Sequence, residues 1–379
     1  MYFKVPTKYG RVFSFSSDTQ KIPNARSALF NTLKLIGLGV SLVVGTAVFG
    51  TAGDASARDL TVVAYGGSTQ AGMDTAWFKP FAAATGKSIV QDEDPSLAKV
   101  RAMVQSGNVT WDLLDQEQPD AIAGCEEGIF ETIDYSKFDT SRLDKSVLGQ
   151  CGIGMYTAGN VLAYDADKLK DPPKTWADFW NVTKWPGKRG FWFTPKGALE
   201  FALLADGVTL SDIYKVLRTK EGVDRAFKKL GELKSNILWW KTGGELINRL
   251  ASGEYTMTMA WNGRISAANQ NDKRHFKIAW TAGFTEVTDQ WVIVKGTPNL
   301  DEAYALVKFA LEPDRQAEFM RHVAYSAANT DAYAKLDAAR LAELPLSPDN
   351  APYGVAEDVA FWSQNLDSLT QRFNAWASQ

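Results

Sequence analysis

Leu60-Thr-Val-Val-Ala-Tyr65, followed by Gly66-Gly67-Ser68-Thr69 and a mainly apolar segment from Met73 to Thr85, decides the fold class of this chain. The first six residues favour a buried β-strand, and the paired glycines predict a tight turn. The run that follows predicts a helix ending at Gly86. A strand, a glycine turn and a helix in this order open an α/β unit.

The same alternation of strands and helices continues along the chain. We predict strands over 87–91, 111–114, 254–261 and 290–295. We predict helices over 97–105, 224–234, 244–252 and 301–311. The pattern indicates an α/β protein with parallel-rich sheets flanked by helices, and no internal repeat is present.

The first 57 residues have the layout of a secretory signal peptide. Six Lys and Arg side chains against one Asp precede an apolar run from Leu35 to Phe49, and small residues follow at Ala55-Ser56-Ala57. We therefore expect export to the periplasm and cleavage near Arg58. A retained membrane anchor is the alternative, but a span needs roughly 20 apolar residues and three glycines and a serine interrupt this run.

The charge balance argues against a nucleic-acid partner. The whole chain carries −3, and the leader (residues 1–57) carries +4 from six Lys and Arg and two Asp, which leaves −7 for the rest. Lysines and arginines are scattered among acids instead of clustered. The remaining chain is long enough for two lobes that each bury a core.

Both cysteines, Cys125 and Cys151, lie beyond the leader. Because an exported chain meets an oxidising compartment, we expect one disulfide between them, with two buried thiols as the alternative. The two histidines, His275 and His322, are not at metal-ligand spacing to either cysteine, so we expect no zinc site.

No catalytic signature is present in the sequence. The serine-hydrolase elbow, the phosphate-binding loop and the dinucleotide fingerprint are all missing. A hydrolase that uses carboxylates stays open, because Glu117 and Asp120 lie close together in sequence. An iron receptor would need neighbouring tyrosines, and the sequence has no Tyr-Tyr pair. Tryptophan is abundant in the middle third, where most copies are expected in the core and a few in a ligand cleft.

Several short motifs resemble the periplasmic solute-binding proteins of the spermidine/putrescine type. They are Lys174-Thr-Trp-Ala-Asp-Phe-Trp180, Trp185-Pro-Gly-Lys-Arg-Gly190, Gly159-Asn-Val-Leu-Ala-Tyr-Asp165, Met259-Ala-Trp-Asn-Gly263 and Leu311-Glu-Pro-Asp-Arg315. The likeness runs in order from about Leu60 to the C-terminus.

This resemblance implies a two-lobed periplasmic-binding-protein fold of type II, in which each lobe is a mixed sheet flanked by helices. The first lobe is expected over 58–158 and 286–327, and the second over 159–285 and 328–379. Hinges are expected near 158–161 and 285–289. The family binds its ligand between the lobes and docks on an ATP-driven (ABC) permease. We therefore expect a monomeric receptor without cofactor or enzymatic activity.

The resemblance also suggests ligand-binding residues. Polyamine receptors place aromatic side chains along the ligand and an acid at each amine. Matching or plausible positions here are Tyr65, Ser68, Glu117, Trp240, Trp261 and Asp289. The chain departs from the pattern at Lys196 and Leu199, which replace a pair of acids, and at Arg264, which adds a guanidinium suited to a carboxylate.

These departures favour a ligand that carries both charges. Two amines facing Lys196 and Arg264 would be repelled in a desolvated cleft, whereas a zwitterion offers a carboxylate to Arg264 and an ammonium to Asp289. We expect an ω-amino acid such as γ-aminobutyrate, with backbone N–H groups near Gly197 assisting the anion after an N-cap at Thr194. Two alternatives remain: Arg264 forms an internal salt bridge, for instance with Asp289, or Glu117 restores a polyamine site.

Overall fold

A computed structural model describes residues 58–379, and the signal peptide predicted over residues 1–57 lies outside this range. Its eleven strands form one mixed sheet. They are β1 (Leu60–Ala64), β2 (Ile89–Glu93), β3 (Leu113–Glu117), β4 (Gly152–Asp165), β5 (Lys188–Trp192), β6 (Ile237–Trp240), β7 (Tyr255–Trp261), β8 (Phe276–Ile278), β9 (Phe284–Ile293), β10 (Ser326–Ala327) and β11 (Gly354–Ala356).

The main path of the sheet runs β2-β1-β3-β9-β4-β7-β5-β6. Strands β2, β1 and β3 are parallel at one end, and β7, β5 and β6 are parallel at the other. The two longest strands, β4 and β9, pair antiparallel in the middle and join the two parallel sets. The α/β alternation predicted from the sequence is confirmed.

The α-helices flank this sheet. Their bounds are α1 (Gly67–Met73), α2 (Lys79–Thr85), α3 (Leu97–Ser106), α4 (Gln118–Glu126), α5 (Trp176–Trp180), α6 (Ala198–Ala205), α7 (Ile213–Leu217), α8 (Lys220–Leu233), α9 (Gly243–Ser252), α10 (Asn262–Asn271), α11 (Leu300–Ala310), α12 (Pro313–His322), α13 (Ala338–Leu341) and α14 (Val359–Ala377). Within residues 58–379, no helix has both the length and the apolar character that crossing a bilayer requires.

The opening strand–turn–helix unit differs from its prediction at one boundary. Strand β1 is where the sequence places it, but the helix begins at Gly67, six residues before Met73. Gly66 and Gly67 have φ angles of 67° and 61°, which glycine adopts without strain. A π-helical stretch, Asp74–Phe78, lies between α1 and α2. Proline in a helix lacks an N–H and clashes with a carbonyl of the preceding turn, and this wider turn accommodates Pro80.

Two separate sets of buried apolar side chains form the cores of the two lobes. In the first lobe, Trp77 stacks on Phe319 with ring centroids 4.4 Å apart. In the second lobe, Trp176 stacks on Phe201 at 3.8 Å. Strand β4 contributes side chains to both sets, and β9 contributes to the first set and, through Phe284, to a neighbouring buried cluster that also contains Trp240, so both strands cross from one lobe to the other. The chain has the mixed α/β architecture of a two-lobed protein, and the lobe boundaries given above remain a prediction.

Cys125, at the end of α4, and Cys151, just before β4, form the predicted disulfide. Its cysteines lie 26 residues apart in sequence, and cross-linking a loop of that size removes about 3 to 4 kcal/mol of chain entropy from the unfolded state. The bridge therefore fastens α4, which carries acidic residues toward the cleft, to the first crossing strand.

Candidate ligand-binding cleft

A cavity lies between the lobes, and the empty space in and around it, including open solvent at its mouth, is about 430 Å³. With the lobe boundaries predicted above, most of its lining belongs to the first lobe, and three side chains come from the second. The lining residues are Tyr65, Thr69, Glu117, Tyr156, Ala158, Val287, Asp289 and Tyr325 from the first lobe and Trp192, Trp261 and Arg264 from the second.

The floor of the cavity is a row of side chains across three neighbouring strands. In the register of the sheet, Glu117 of β3 lies opposite Asp289 of β9, and Asp289 lies opposite Tyr156 of β4. The register of β4 shifts between Gly154 and Tyr156, so Met155 is the extra residue of a bulge. Without that bulge, Met155 would stand opposite Asp289, and the row would lose its hydroxyl group.

Two buried carboxylates of the first lobe lack partners on one oxygen each. Asp115 Oδ2 accepts a hydrogen bond of 3.0 Å from the Tyr156 hydroxyl, while Asp115 Oδ1 and Asp289 Oδ1 have no hydrogen-bond partner among the described residues. Burial raises the pKa of Asp115 to about 8, although the Tyr156 hydrogen bond opposes the shift. Burial and the nearby Asp115 and Glu117 carboxylates raise the pKa of Asp289 well above its ordinary value. This side of the cavity favours a cation.

The guanidinium of Arg264 lies on the opposite side, on the first turn of α10. Its Nη2 donates to the Gly66 carbonyl at 2.9 Å and its Nη1 to Ser68 Oγ at 3.0 Å, so it bonds across the cleft to two neutral groups. Across residues 58–379 Arg264 makes no ion pair with an acid, and its Nε is buried without a partner. The internal salt bridge with Asp289, considered above as an alternative, is not formed, although the Arg264 charge lies close enough to Asp115 to oppose the rise in the pKa of that acid.

Glycine leaves room for this guanidinium on two sides. A Cβ atom on Gly67 would lie 2.5 Å from Arg264 Nη1, and one on Gly243 would lie 2.8 Å from Arg264 Nε. Both distances are shorter than non-bonded atoms tolerate. Ser68, one of the predicted ligand contacts, is thus placed as a hydrogen-bond partner of Arg264 and does not line the cavity.

The aromatic wall of the second lobe is formed by Trp192 and Trp261, whose ring centroids are 5.1 Å apart in an edge-to-face arrangement. Trp240, which was predicted to form part of this wall, lies behind the two rings and has no exposed surface. Its ring centroid is 4.9 Å from that of Trp261 and 6.1 Å from that of Trp192. It supports the wall from inside the core. Trp192 takes the position that the sequence interpretation gave to Trp240.

Lys196 is also outside the cavity lining. Its Nζ forms a buried hydrogen-bonded ion pair with Glu117 and lies 3.6 Å from Asp120 Oδ2. The N-cap prediction at Thr194 is wrong, because α6 begins at Ala198 with Gly197 as its N-cap. The first lobe supplies acids at this end of the cleft, and Lys196 of the second lobe neutralises them.

Besides Trp192, sequence reasoning missed four contributors to the site: Tyr156, Tyr325, Thr69 and Asp115. Tyr156 reaches the cavity through the bulge in β4, and Tyr325 follows α12 in a segment without strand or helix periodicity. Tyr156 and Tyr325 stack with centroids 4.9 Å apart. The paired carboxylates of β3, two residues apart and therefore on one face of the strand, were the available signal for Asp115.

The stacked tyrosines differ from the phenolate ligands of an iron site. Burial raises the pKa of Tyr325 to about 12 and that of Tyr156 well above its ordinary value, so both stay protonated at neutral pH. In the described part of the chain, no group of three or more His, Cys, Asp or Glu side chains is arranged to hold a metal ion. Neither histidine lines the cavity.

Comparison with known proteins assigns the chain to a family. A γ-aminobutyric acid-binding protein of Pseudomonas aeruginosa is 40% identical over 353 residues, which cover 93% of this chain and 97% of that protein. A solved GABA receptor is 33% identical with a TM-score of 0.76, covering 84% and 98% of the two chains. The binding protein MotA of A. tumefaciens B6, solved with glucopine, is 28% identical with a TM-score of 0.79, covering 84% and 99%. Residues 76–346 match the bacterial extracellular solute-binding proteins, and the chain belongs to that family.

Proposed function

We propose that this protein is the periplasmic receptor of an ABC importer and that it captures an ω-amino acid, with γ-aminobutyrate as the preferred ligand. The observation that carries the proposal is the separation of charge across the cavity. An unpaired carboxyl oxygen belongs to Asp289 of the first lobe, and a guanidinium that forms no ion pair within residues 58–379 belongs to Arg264 of the second. A ligand with an ammonium at one end and a carboxylate at the other complements both lobes at once.

Each end of such a ligand finds suitable partners. The ammonium would donate to Asp289 and to the Tyr156 oxygen, whose own proton is directed to Asp115. The carboxylate would accept from Arg264 as a charge-assisted pair. Trp192 and Trp261 offer apolar faces to the methylene chain between the two charges.

A polyamine is the alternative ligand class. It is disfavoured because a second amine at the carboxylate-binding end of the ligand would meet Arg264, which forms no ion pair within residues 58–379, in a poorly solvated cleft. Glu117, the acid expected to restore a polyamine site, is already paired with Lys196.

The relatives support a transport role over an enzymatic one. The Pseudomonas protein is a γ-aminobutyric acid-binding protein, and the family consists of extracellular solute-binding proteins. The residues that line the cavity include no serine, cysteine or histidine to act as a nucleophile or a base. A hydrolase remains the remote alternative. We propose that the receptor is monomeric and delivers its ligand to a membrane permease.

Isothermal titration calorimetry with ligands that present one charge or two tests this function. We expect γ-aminobutyrate to bind, and butyrate and butylamine, which each lack one charge, to bind at least 100-fold more weakly. Arg264→Ala should weaken γ-aminobutyrate binding by roughly 100-fold or more, because a buried charge-assisted pair is worth about 3 kcal/mol when one partner is removed.

Arg225→Ala is the matched control, since Arg225 pairs with Asp206 on the surface of the second lobe. It should bind γ-aminobutyrate like the wild-type protein. Tight binding of putrescine or spermidine without binding of any ω-amino acid would contradict the proposal.

A further inference from the structure

The side chain of Lys196 crosses the cleft and ends among acids of the opposite lobe. It leaves the loop between β5 and α6, and its Nζ reaches Glu117, the last residue of β3, and Asp120 in the first turn of α4. The Lys196 side chain is 7% exposed, so this is a desolvated contact.

The surroundings of this ammonium are those that would bind the amine of a ligand. Two carboxylates face it, and its Nζ lies 5.9 Å from the ring centroid of Trp192. Carboxylates and an aromatic face are the groups that recognise an alkylammonium. Burial by itself would lower the pKa of Lys196, but Glu117, Asp120 and the more distant Glu357 together outweigh burial and raise it above its ordinary value. The lysine is therefore charged.

The Lys196 ammonium also adjoins the ligand cavity. Glu117 and Trp192, which both contact or face it, are lining residues of that cavity. If the lysine side chain were shortened, the cavity would extend to Asp120. The acidic side of the cavity would then have two places for an ammonium group. One is at Asp289, and the other is between Glu117 and Asp120.

We propose that Lys196 is a resident ammonium that occupies the place of a second ligand amine and so restricts the receptor to ligands with one ammonium group. The proposal rests on the proposed function, because it assumes that the ligand's own ammonium binds at Asp289. It makes Lys196 a specificity-determining residue that acts by exclusion of diamines.

The test is Lys196→Ala, which removes the ammonium and opens space for one from the ligand. We expect the affinity for putrescine or cadaverine to rise at least tenfold over wild type, measured by titration calorimetry after circular dichroism has shown the variant to be folded. Lys196→Arg keeps a cation between Glu117 and Asp120 and should show no such gain. Lys188→Ala, at an exposed lysine that bonds the Ser235 carbonyl, is the matched control and should behave like wild type.

Adding Glu117→Gln to Lys196→Ala should remove most of the gain, because the new amine then loses its nearer carboxylate. If the alanine variant does not fold, Lys196→Gln serves instead and is expected to change diamine affinity in the same direction. A folded neutral variant whose diamine affinity equals that of wild type would overturn the proposal, as would an equal gain in Lys196→Arg.

The two proposals fail separately. Wild-type protein that binds γ-aminobutyrate, together with a folded Lys196→Ala variant that gains no diamine affinity, refutes the role of Lys196 alone. Wild-type protein that binds no ω-amino acid refutes the proposed function. The diamine affinity of Lys196→Ala relative to wild type can still be measured in that case and tests the role of Lys196 by itself.

Discussion

At the scale of single residues, Asp115 acts on the cleft without lining it. Its side chain is fully buried, and it accepts a hydrogen bond from the Tyr156 hydroxyl. A hydroxyl has one proton to donate, so Tyr156 can then only accept from groups in the cavity. When it is ionised, Asp115 thereby turns Tyr156 into an acceptor and adds a negative charge behind Asp289.

The affinity for γ-aminobutyrate should depend on pH because of Asp115. Its pKa is about 8 in the described structure, and a bound ammonium stabilises the ionised carboxylate. Below pH 8, binding must therefore expel a proton, and the affinity should fall by up to tenfold per pH unit as the pH decreases from 8 to 6. Titration calorimetry between pH 6 and 9 measures this slope.

Asp115→Asn provides the comparison for that slope. The variant should bind γ-aminobutyrate more weakly at pH 8.5. Its affinity should also change less with pH, because one of the interacting acids is gone. The other charged groups near Asp115, which are Glu117, Asp289 and Arg264, remain in the variant. Equal slopes for both proteins would show that Asp115 is not the titrating group.

At the scale of elements, three helices of the second lobe meet at one buried carboxyl group. Glu200 of α6 accepts hydrogen bonds from Tyr214 of α7 at 3.1 Å and from Trp362 Nε1 of α14 at 2.8 Å. Its residue exposure is 1%, and its Oε2 has no partner within the described range. Glu200 therefore fixes the C-terminal helix to the core at the cost of burying an ionisable group.

The free energy of unfolding should decrease as the pH rises, because Glu200 must ionise in a buried position. Burial raises the pKa of Glu200 to about 7, whereas the unfolded chain has an ordinary value near 4.5. Its contribution to the free energy of unfolding is thus fully present below pH 4.5, declines between pH 4.5 and 7, and is lost above pH 7. The total loss is about 3 kcal/mol.

Glu200→Gln should remove this decline, because an amide imitates the protonated acid at every pH. Urea unfolding at pH 5 and pH 8 measures the difference for both proteins. Glu232→Gln, at an exposed glutamate of α8, is the control and should keep the wild-type pH dependence. A Glu200→Gln variant that loses as much stability as wild type between the two pH values would refute this role.

At the scale of the whole molecule, the two lobes are joined by β4 and β9 and bridged by polar contacts that flank the cavity. Arg264 bonds to Gly66 and Ser68 on one side, and Lys196 pairs with Glu117 on the other. The cations of both bridges belong to the second lobe. Closure of the cleft therefore brings the positive charges of one lobe against the acids and carbonyls of the other.

A ligand that joins both lobes should compact the protein. We expect γ-aminobutyrate to reduce the radius of gyration in small-angle X-ray scattering toward the roughly 20 Å of a compact chain of this length. Butyrate and butylamine each contact one lobe only, and neither should have this effect. The Arg264→Ala variant should stay expanded with γ-aminobutyrate. Equal compaction by butyrate would mean that closure does not need both ends of the ligand.

The sequence predicted those features that depend on local pattern or on compartment. The strand from Leu60, the helix end at Gly86 and the pairing of Cys125 with Cys151 follow from short-range signals, and the structure contains all three. The family resemblance supplied the two-lobed fold and led to Asp289 and Arg264, which the structure brings to one cavity.

Features that depend on pairing between distant segments could not be predicted. The bulge at Met155 exists only relative to β9, and the partner of Lys196 lies 79 residues away on another lobe. Trp192 and Trp240 are neighbours on paired strands, so their order from the cavity is decided by the register of β5 with β6. These strand registers cannot be derived from a single sequence.

The separation of the two charges onto different lobes has a kinetic consequence. A ligand held by its ammonium on one lobe and its carboxylate on the other cannot leave until the lobes part, because departure breaks contacts to both. Its residence time is then limited by the frequency of opening, and variants that weaken only the bridges between lobes should accelerate release more than capture. A permease that separates the two lobes would thereby also release the bound ligand.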